Sequence, residues 1–211
     1  MIRILIADDH PFVRRGVKQV LTDEFPETVI GEASTAPELL ELAGQHPWNL
    51  VILDLTMPGR SGLDALHELK AGWPDTPVLV LSMHPEDQFA MRVLRAGADG
   101  YLTKESIPEE LVQAVRKIMA NGKYIRPSVA DLLATQLQQG DASQPPHARL
   151  SDREFQVLGL IAHGKTVTHI AEELSLSVKS VSTYRARIME KLHLNSTADL
   201  TRYALEHRLI V

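Results

Sequence analysis

The 211-residue chain contains no cysteine. That absence excludes disulfide staples and thiolate-ligated zinc or iron sites, and it leaves the redox compartment unmarked. No apolar run reaches membrane-spanning length, and the N-terminal MIRILIADDH lacks the long apolar core of a cleavable signal. The expectation is a cytoplasmic protein with no membrane partner. The G-x-G-x-x-G and G-K-S/T arrangements that cradle nucleotide phosphates are also missing, since GRSG at 59–62 matches neither. There is no internal repeat or coiled-coil heptad. What remains is an ordinary folded composition, 44% hydrophobic and 23% charged, with enough chain for one large core or two modest ones.

The net charge of −5 is unevenly spread. Residues 1–148 carry 13 Lys+Arg against 20 Asp+Glu, a balance of −7, whereas residues 149–211 carry 9 against 7, a balance of +2. Between the halves lies QLQQGDASQPPHARL (136–150), where Gly140, Ser143 and Pro145-Pro146 cannot continue a helix and little is available to bury. The expected organisation is a first domain at 1–123, a helical extension and flexible linker at 124–147, and a second domain at 148–211.

The first half alternates apolar strands (IRILIAD, ETVIGEA, LVILD, PVLVLS, GYLT) with amphipathic helical stretches (12–22, 36–46, SGLDALHELKAG, 85–97, 108–122). Strands that are apolar on both faces and separated by helices predict an α/β fold, a doubly wound five-stranded parallel sheet covered on both sides. In such a sheet the polar residues that matter gather at the carboxyl ends of the strands. Those ends carry Asp8 and Asp9 after the first, Asp54 after the third, Ser82 after the fourth and Lys104 after the fifth. Three carboxylates, a hydroxyl and an ammonium on one rim are hard to obtain by chance.

Crowded carboxylates repel one another and bind a hard divalent cation, for which Mg²⁺ is the natural choice. Asp8 and Asp9, with Asp54 and the Thr56 backbone carbonyl, form the expected ligand set. A cation there neutralises phosphoryl oxygens and lets Asp54, alone on the middle strand, attack phosphorus to give an aspartyl phosphate. Lys104 would pair with one phosphoryl oxygen and Ser82 would donate to another. His10, beside the acidic pair but without other histidine ligands, is read as structural, and Tyr101 by itself reads as packing. Pro58-Gly59 and Gly62 turn the chain back over the site.

These motifs, ADDH, LDLTMPG, the LS ending the fourth strand and YLTK, make residues 1 to about 123 resemble the receiver domain of bacterial two-component response regulators. The resemblance implies phosphotransfer from a sensor histidine kinase to Asp54, with Ser82 moving toward the phosphate and Tyr101 changing its packing.

The second half shows four helix patterns and no convincing strand. Ser151 with Glu154 three residues on is a capping-box arrangement, and Gly164 stops that helix. Ile170, Ala171 and Leu174 mark a short helix. Val178, Val181, Ile188 and Leu192 then mark a longer one whose exposed positions include Lys179, Ser182, Thr183, Arg187 and Lys191. Two helices joined by a tight turn, with small polar and basic residues on the second, form a helix-turn-helix pattern. A last helix at 196–210 offers Ala198, Leu200, Tyr203, Ala204 and Leu205 to close the small core.

The stretch from Leu150 to Leu194 resembles the LuxR-type DNA-binding domain of the NarL/FixJ class, through Leu150, Arg153, Glu154, Gly164, Ile170, Ala171, Leu174, Ser177, Lys179, Val181, Lys191 and Leu192. The resemblance implies an all-α four-helix helix-turn-helix domain. It places Ser182, Thr183 and Ala186 near base edges of double-stranded promoter DNA, and Lys165, Thr166, Lys179, Arg187 and Lys191 near phosphates. Arg185 either contacts DNA or packs at the dimer side. The whole then reads as a transcription factor that forms a homodimer on phosphorylation, with RNA polymerase as a further contact. A receiver-containing adaptor that binds protein is the alternative. No second catalytic constellation appears in 149–211, so no enzyme activity is expected beyond self-phosphorylation from a phosphodonor and autodephosphorylation.

Overall fold

The structure, a computed structural model, describes residues 1–57, 62–83, 86–106, 108, 110–131, 134, 145–174, 176–207 and 209–210, without the side chains of 86–88. The expected turn at Pro58-Gly59 and the linker residues 135–144 lie outside the described residues. The chain divides into two compact units, Met1–Ala134 and Thr135–Val211.

In the first unit the apolar runs form β1 (Ile2–Ala7), β2 (Thr28–Ala33), β3 (Leu50–Asp54), β4 (Val78–Ser82) and β5 (Gly100–Thr103). The helices are α1 (Pro11–Glu24), α2 (Ala36–Gln45), α3 (Gly62–Gly72), α4 (Glu86–Arg95) and α5 (Leu111–Met119). The strands pair in parallel in the order β2-β1-β3-β4-β5. β3 and β4 are buried along their whole length, as continuous apolar runs covered on both faces require. Ile4, Ile6, Leu50, Ile52, Leu79, Leu81 and Leu102 pack with Val17 and Leu21 of α1 and Leu111, Val115 and Ile118 of α5. Strand alternation sends Leu5, Val51, Leu53 and Val80, all buried, to the opposite face.

Gly62 opens α3 where the chain returns beneath the third strand. Its N–H donates to Leu55 O at 3.0 Å. A Cβ there would lie 2.2 Å from Asp54 O and 2.5 Å from Leu55 Cα, which is backbone that cannot swing aside. The close return therefore demands glycine.

The first unit extends past the expected boundary at 123. Tyr124 forms a parallel bridge with Gly100, its N–H donates to Asp99 O at 2.8 Å, and Val129 is buried. The unpaired edge of β5 recruits this segment, so 124–131 belongs to the first unit instead of the linker.

The second unit begins with a 3₁₀ turn, Pro146–Arg149, whose His147 Nδ1 lies 3.0 Å from the Tyr203 hydroxyl. It continues as α6 (Asp152–Ala162), α7 (Val167–Glu173), α8 (Val178–Leu192) and α9 (Thr197–Glu206). The Ser151/Glu154 capping box is formed in both directions. Gly164, at φ +79°, closes α6 in the left-handed conformation that glycine adopts without cost. Val181, Ile188 and Leu192 are buried, but Val178 and Leu205 are 50% and 54% exposed and Ala198 is exposed as well. These three depart from the expected core, because their helices bury only a narrow stripe in so small a unit. Among the described residues no helix is long and apolar enough to cross a membrane.

Gly62→Ala is expected to destabilise the first unit by about 2 kcal/mol, the scale of forced overpacking, measured as a lower urea midpoint at unchanged m-value. A wild-type midpoint would refute the close-return account.

Candidate functional site

Parallel pairing brings the strand ends to one edge, with Ala7 in register with Leu53, Asp54 with Leu81 and Ser82 with Thr103. Asp8 and Asp54 are nearly sealed from solvent, at 2% and 1% exposure. Lys104 begins a 3₁₀ turn, Lys104–Ser106, directly after β5. Its Nζ lies 2.7 Å from Asp54 Oδ2 and 2.7 Å from Asp8 Oδ2. The other carboxylate oxygens are held by backbone: the Thr56 N–H donates to Asp54 Oδ1 at 3.1 Å and the His10 N–H to Asp8 Oδ1 at 2.8 Å. Each is an aspartate bonding the amide two residues on, a local turn that fixes the side chain's direction.

The electrostatics follow from burial. Removal from water pushes the Asp54 carboxyl up to about 6, with Asp8 adding to the rise and Lys104 opposing it. For Lys104, burial disfavours the charged form, but the two facing carboxylates outweigh it and raise its pKa. Asp8, Asp9, His10 and Asp54 each place a donor atom within 4.8 Å of the others. Three hard carboxylates facing a single ammonium leave net negative charge in a small space. Asp9 and His10, 30% and 61% exposed, leave the cluster open to solvent on their side. The donor set fits a hard divalent cation.

Of the residues expected at this rim, Asp8, Asp9, Asp54 and Lys104 are brought together. Ser82 is fully buried at the end of β4 beside Thr103, and Tyr101 is buried in β5 at 2% exposure. Thr56 meets Asp54 through its amide, a contact that sequence reasoning, which looked to its carbonyl, did not anticipate. His10 is part of the cluster rather than a bystander, its Nδ1 2.7 Å from Asp9 Oδ1. Arg14 was also missed; its guanidinium donates to Asp8 O at 2.6 Å and faces Glu32 at 3.6 Å. Only its position one turn into α1 could have signalled this.

In the second unit, Ser177 caps α8 by accepting from the Ser180 N–H at 3.0 Å. Lys179, Thr183, Ala186 and Arg187 form one exposed face of that helix, with Ser182 half-buried at its margin, whereas Arg185 is half-buried on the side of Val181 and Ile188. The Thr183 hydroxyl donates to Lys179 O at 2.9 Å. Thr166 caps α7, accepting from the His169 N–H at 3.3 Å, and Lys165 pairs with Glu173 at 2.5 Å. Lys191, expected near a phosphate, pairs within the unit: its Nζ lies 2.6 Å from Oε2 of Glu154, which is 3% exposed, while the lysine side chain is 41% exposed. Burial would raise the Glu154 pKa, but hydrogen bonds from Lys191 and Ser151 prevail and lower it.

A parallel α/β unit with an acidic, lysine-bridged rim, followed by a helix-turn-helix unit, defines a two-domain response regulator. Residues 4–116 match the response regulator receiver domain family, and residues 148–204 match the bacterial regulatory proteins of the luxR family. The chain is 39% identical over 210 residues to the response regulator GacA of Pseudomonas aeruginosa, covering 100% of this chain and 98% of that one. It is 34% identical over 209 residues to UvrY of Escherichia coli, covering 99% and 96%. RcsB from Salmonella enterica, bound to promoter rprA in the presence of the phosphomimetic BeF3⁻, aligns with a TM-score of 0.64 at 27% identity, covering 96% of this chain and 98% of that one. The chain belongs to the NarL/FixJ class of two-component response regulators, with a receiver domain and a LuxR-type helix-turn-helix DNA-binding domain.

The Asp54 carboxyl titrates near 6 in the fold against 3.8 for an ordinary aspartate, so the folded protein binds more protons than the unfolded chain between those values. Ionised Asp54 therefore costs stability above pH 6, on the order of 3 kcal/mol, and the cost fades as pH falls toward 4. In metal-free buffer, Asp54→Asn is expected to be more stable than wild type at pH 7.5 and to lose that advantage near pH 4 in denaturant titrations. An advantage that grows on acidification would contradict the assignment.

Proposed function

We propose that Asp54 accepts a phosphoryl group from a sensor histidine kinase in a Mg²⁺-dependent reaction, and that the phosphorylated protein dimerises and binds promoter DNA. The observation that carries this reading is the buried Asp54 carboxylate bridged by Lys104 to Asp8, with Asp9 beside it. Asp8, Asp9, Asp54 and the Thr56 carbonyl would hold the cation, which supplies charge neutralisation at the phosphoryl oxygens when bound. A carboxyl titrating near 6 is mostly ionised at neutral pH, and this is the form that attacks. One Asp54 oxygen forms the new P–O bond as the P–N bond of phosphohistidine breaks, and the departing imidazole keeps the electron pair and takes up a proton. Lys104 turns to a phosphoryl oxygen, Ser82 donates to another, and Tyr101 repacks in response. The chemistry is confined to the protein's own aspartate, with no separate substrate turned over.

For the output, the exposed face of Lys179, Thr183, Ala186 and Arg187 enters the major groove, with Ser182 at its margin and Lys165 and Thr166 at the entrance of α7, while Arg185, on the side of Val181 and Ile188, packs within the protein. The capture of RcsB on promoter DNA with a phosphomimetic supports the same order of events here. The exposed Ala198 and Leu205 fit a contact between subunits, and the complex would act in the cytoplasm and engage RNA polymerase.

Incubation with acetyl phosphate and Mg²⁺ should add one phosphoryl group to the wild type by intact mass and none to Asp54→Asn; equal modification of both would sink the assignment.

The two lysines of α8 should separate cleanly in titrations on a promoter duplex. Lys179→Ala is expected to reduce the slope of log affinity against log salt by roughly 0.9 per contact per subunit. Lys191→Ala should leave that slope unchanged and instead destabilise the second unit by about 1 kcal/mol, since half of the ion pair is solvent-screened. A reduced slope for Lys191→Ala would restore it to the phosphate set.

A further inference from the structure

The turn that presents Lys104 is held from outside the phosphoryl site. Ser106, the last residue of that turn, shares a hydrogen bond with Thr103 Oγ1 at 2.8 Å and accepts another from the Arg126 guanidinium at 2.5 Å. Thr103 and Ser106 thus flank Lys104 and are joined over it, and Thr103 lies in register with Ser82. Arg126 is itself held by Glu110. Its Nε donates to Glu110 Oε2 at 2.7 Å, and Nη2, the nitrogen that reaches Ser106, also pairs with Glu110 Oε1, a two-pronged grip. The Tyr124 hydroxyl donates to the same Glu110 oxygen at 2.9 Å. The Arg126 hydrogen bond holds the Glu110 carboxyl below its ordinary range, so the grip persists through neutral pH.

Anchoring of the 124–131 segment is already provided by the Tyr124–Gly100 bridge and by buried Val129. The bond to Ser106 reaches beyond that anchorage to the turn. Burial makes the placement of the Lys104 ammonium between Asp8 and Asp54 costly to disturb, and the three-residue turn that bears it is held at Ser106 by Thr103, by the Glu110 N–H and by Arg126.

We propose that Arg126 is a positioning residue for the phosphoryl site, holding through Ser106 and Thr103 the turn that presents Lys104. The inference rests on the reading that Lys104 binds a phosphoryl oxygen. The expected effect is on the phosphoryl side of the site, because Arg126 bonds Ser106 in the turn that presents Lys104, whereas Asp8, Asp9 and Asp54 belong to β1, β3 and their loops.

The test is a double-mutant cycle in the full-length protein, with beryllofluoride as the stable phosphoryl mimic, titrated at saturating Mg²⁺ and followed by ¹⁹F NMR. Arg126→Ala is expected to weaken beryllofluoride binding on the order of tenfold, the scale of losing a support behind a ligand-binding group. In the Lys104→Ala background the same substitution should have little further effect, and the Mg²⁺ affinity of Arg126→Ala, from calorimetry, should match wild type. Ser106→Ala removes both the Arg126 bond and the bond to Thr103 and should weaken binding at least as much as Arg126→Ala, whereas Ser106→Thr keeps the hydroxyl and should bind as wild type. If Arg126→Ala fails to fold by circular dichroism, the two Ser106 variants carry the same comparison. Equal losses in both backgrounds, a parallel loss of Mg²⁺ affinity, or no loss in the wild-type background would overturn the proposal. Should Lys104→Ala itself bind beryllofluoride normally, it is the underlying assignment of Lys104 that fails.

Discussion

The Lys104 ammonium lies between two sealed carboxylates, 2.7 Å from each, and the receiver unit is arranged around that placement. Asp8 and Asp54 could not both be charged at such close quarters without a cation between them, and their burial makes the penalty larger. Parallel pairing of β1, β3 and β5 in one sheet delivers all three groups to the same edge from positions up to 96 residues apart in the 211-residue chain. The backbone amides of His10 and Thr56 fix the remaining oxygens. The result is a carboxylate fixed in direction and buried at a cost to its charge.

The second unit uses a related device for a different end. Glu154 is buried, capped by Ser151 and gripped by Lys191 from α8, 37 residues away. That bond ties α6 to the far end of α8. With Val181, Ile188 and Leu192 facing inward, the face of Lys179, Thr183, Ala186 and Arg187 is left outward.

Between the core of the receiver and the linker lies the short segment that begins at Tyr124. Its pairing with the edge of β5 and its shared carboxylate, Glu110, make it part of the receiver's structure. The edge strand thus carries the turn bearing Lys104 at one end and the segment that leads to the linker alongside it.

The five strands, their parallel arrangement, the helical second unit, the capping box and the rim of Asp8, Asp9, Asp54 and Lys104 were all legible in the amino-acid order. Each rests on local patterning, such as apolar runs ending in a polar residue or Ser151 three residues before Glu154, that burial and backbone hydrogen bonding translate directly into structure. The contacts of Arg14, Arg126 and Lys191 were not legible, nor was the exposure of Val178, Ala198 and Leu205. A long basic side chain on a helix or loop has no local signature of its partner, because its reach spans several alternatives that only packing distinguishes. Likewise periodicity marks which residues are apolar but not how wide a stripe a small core can cover. Sequence determined which groups stand at the sheet's edge; tertiary structure decided which charges meet, since that depends on distances between elements that no local pattern encodes.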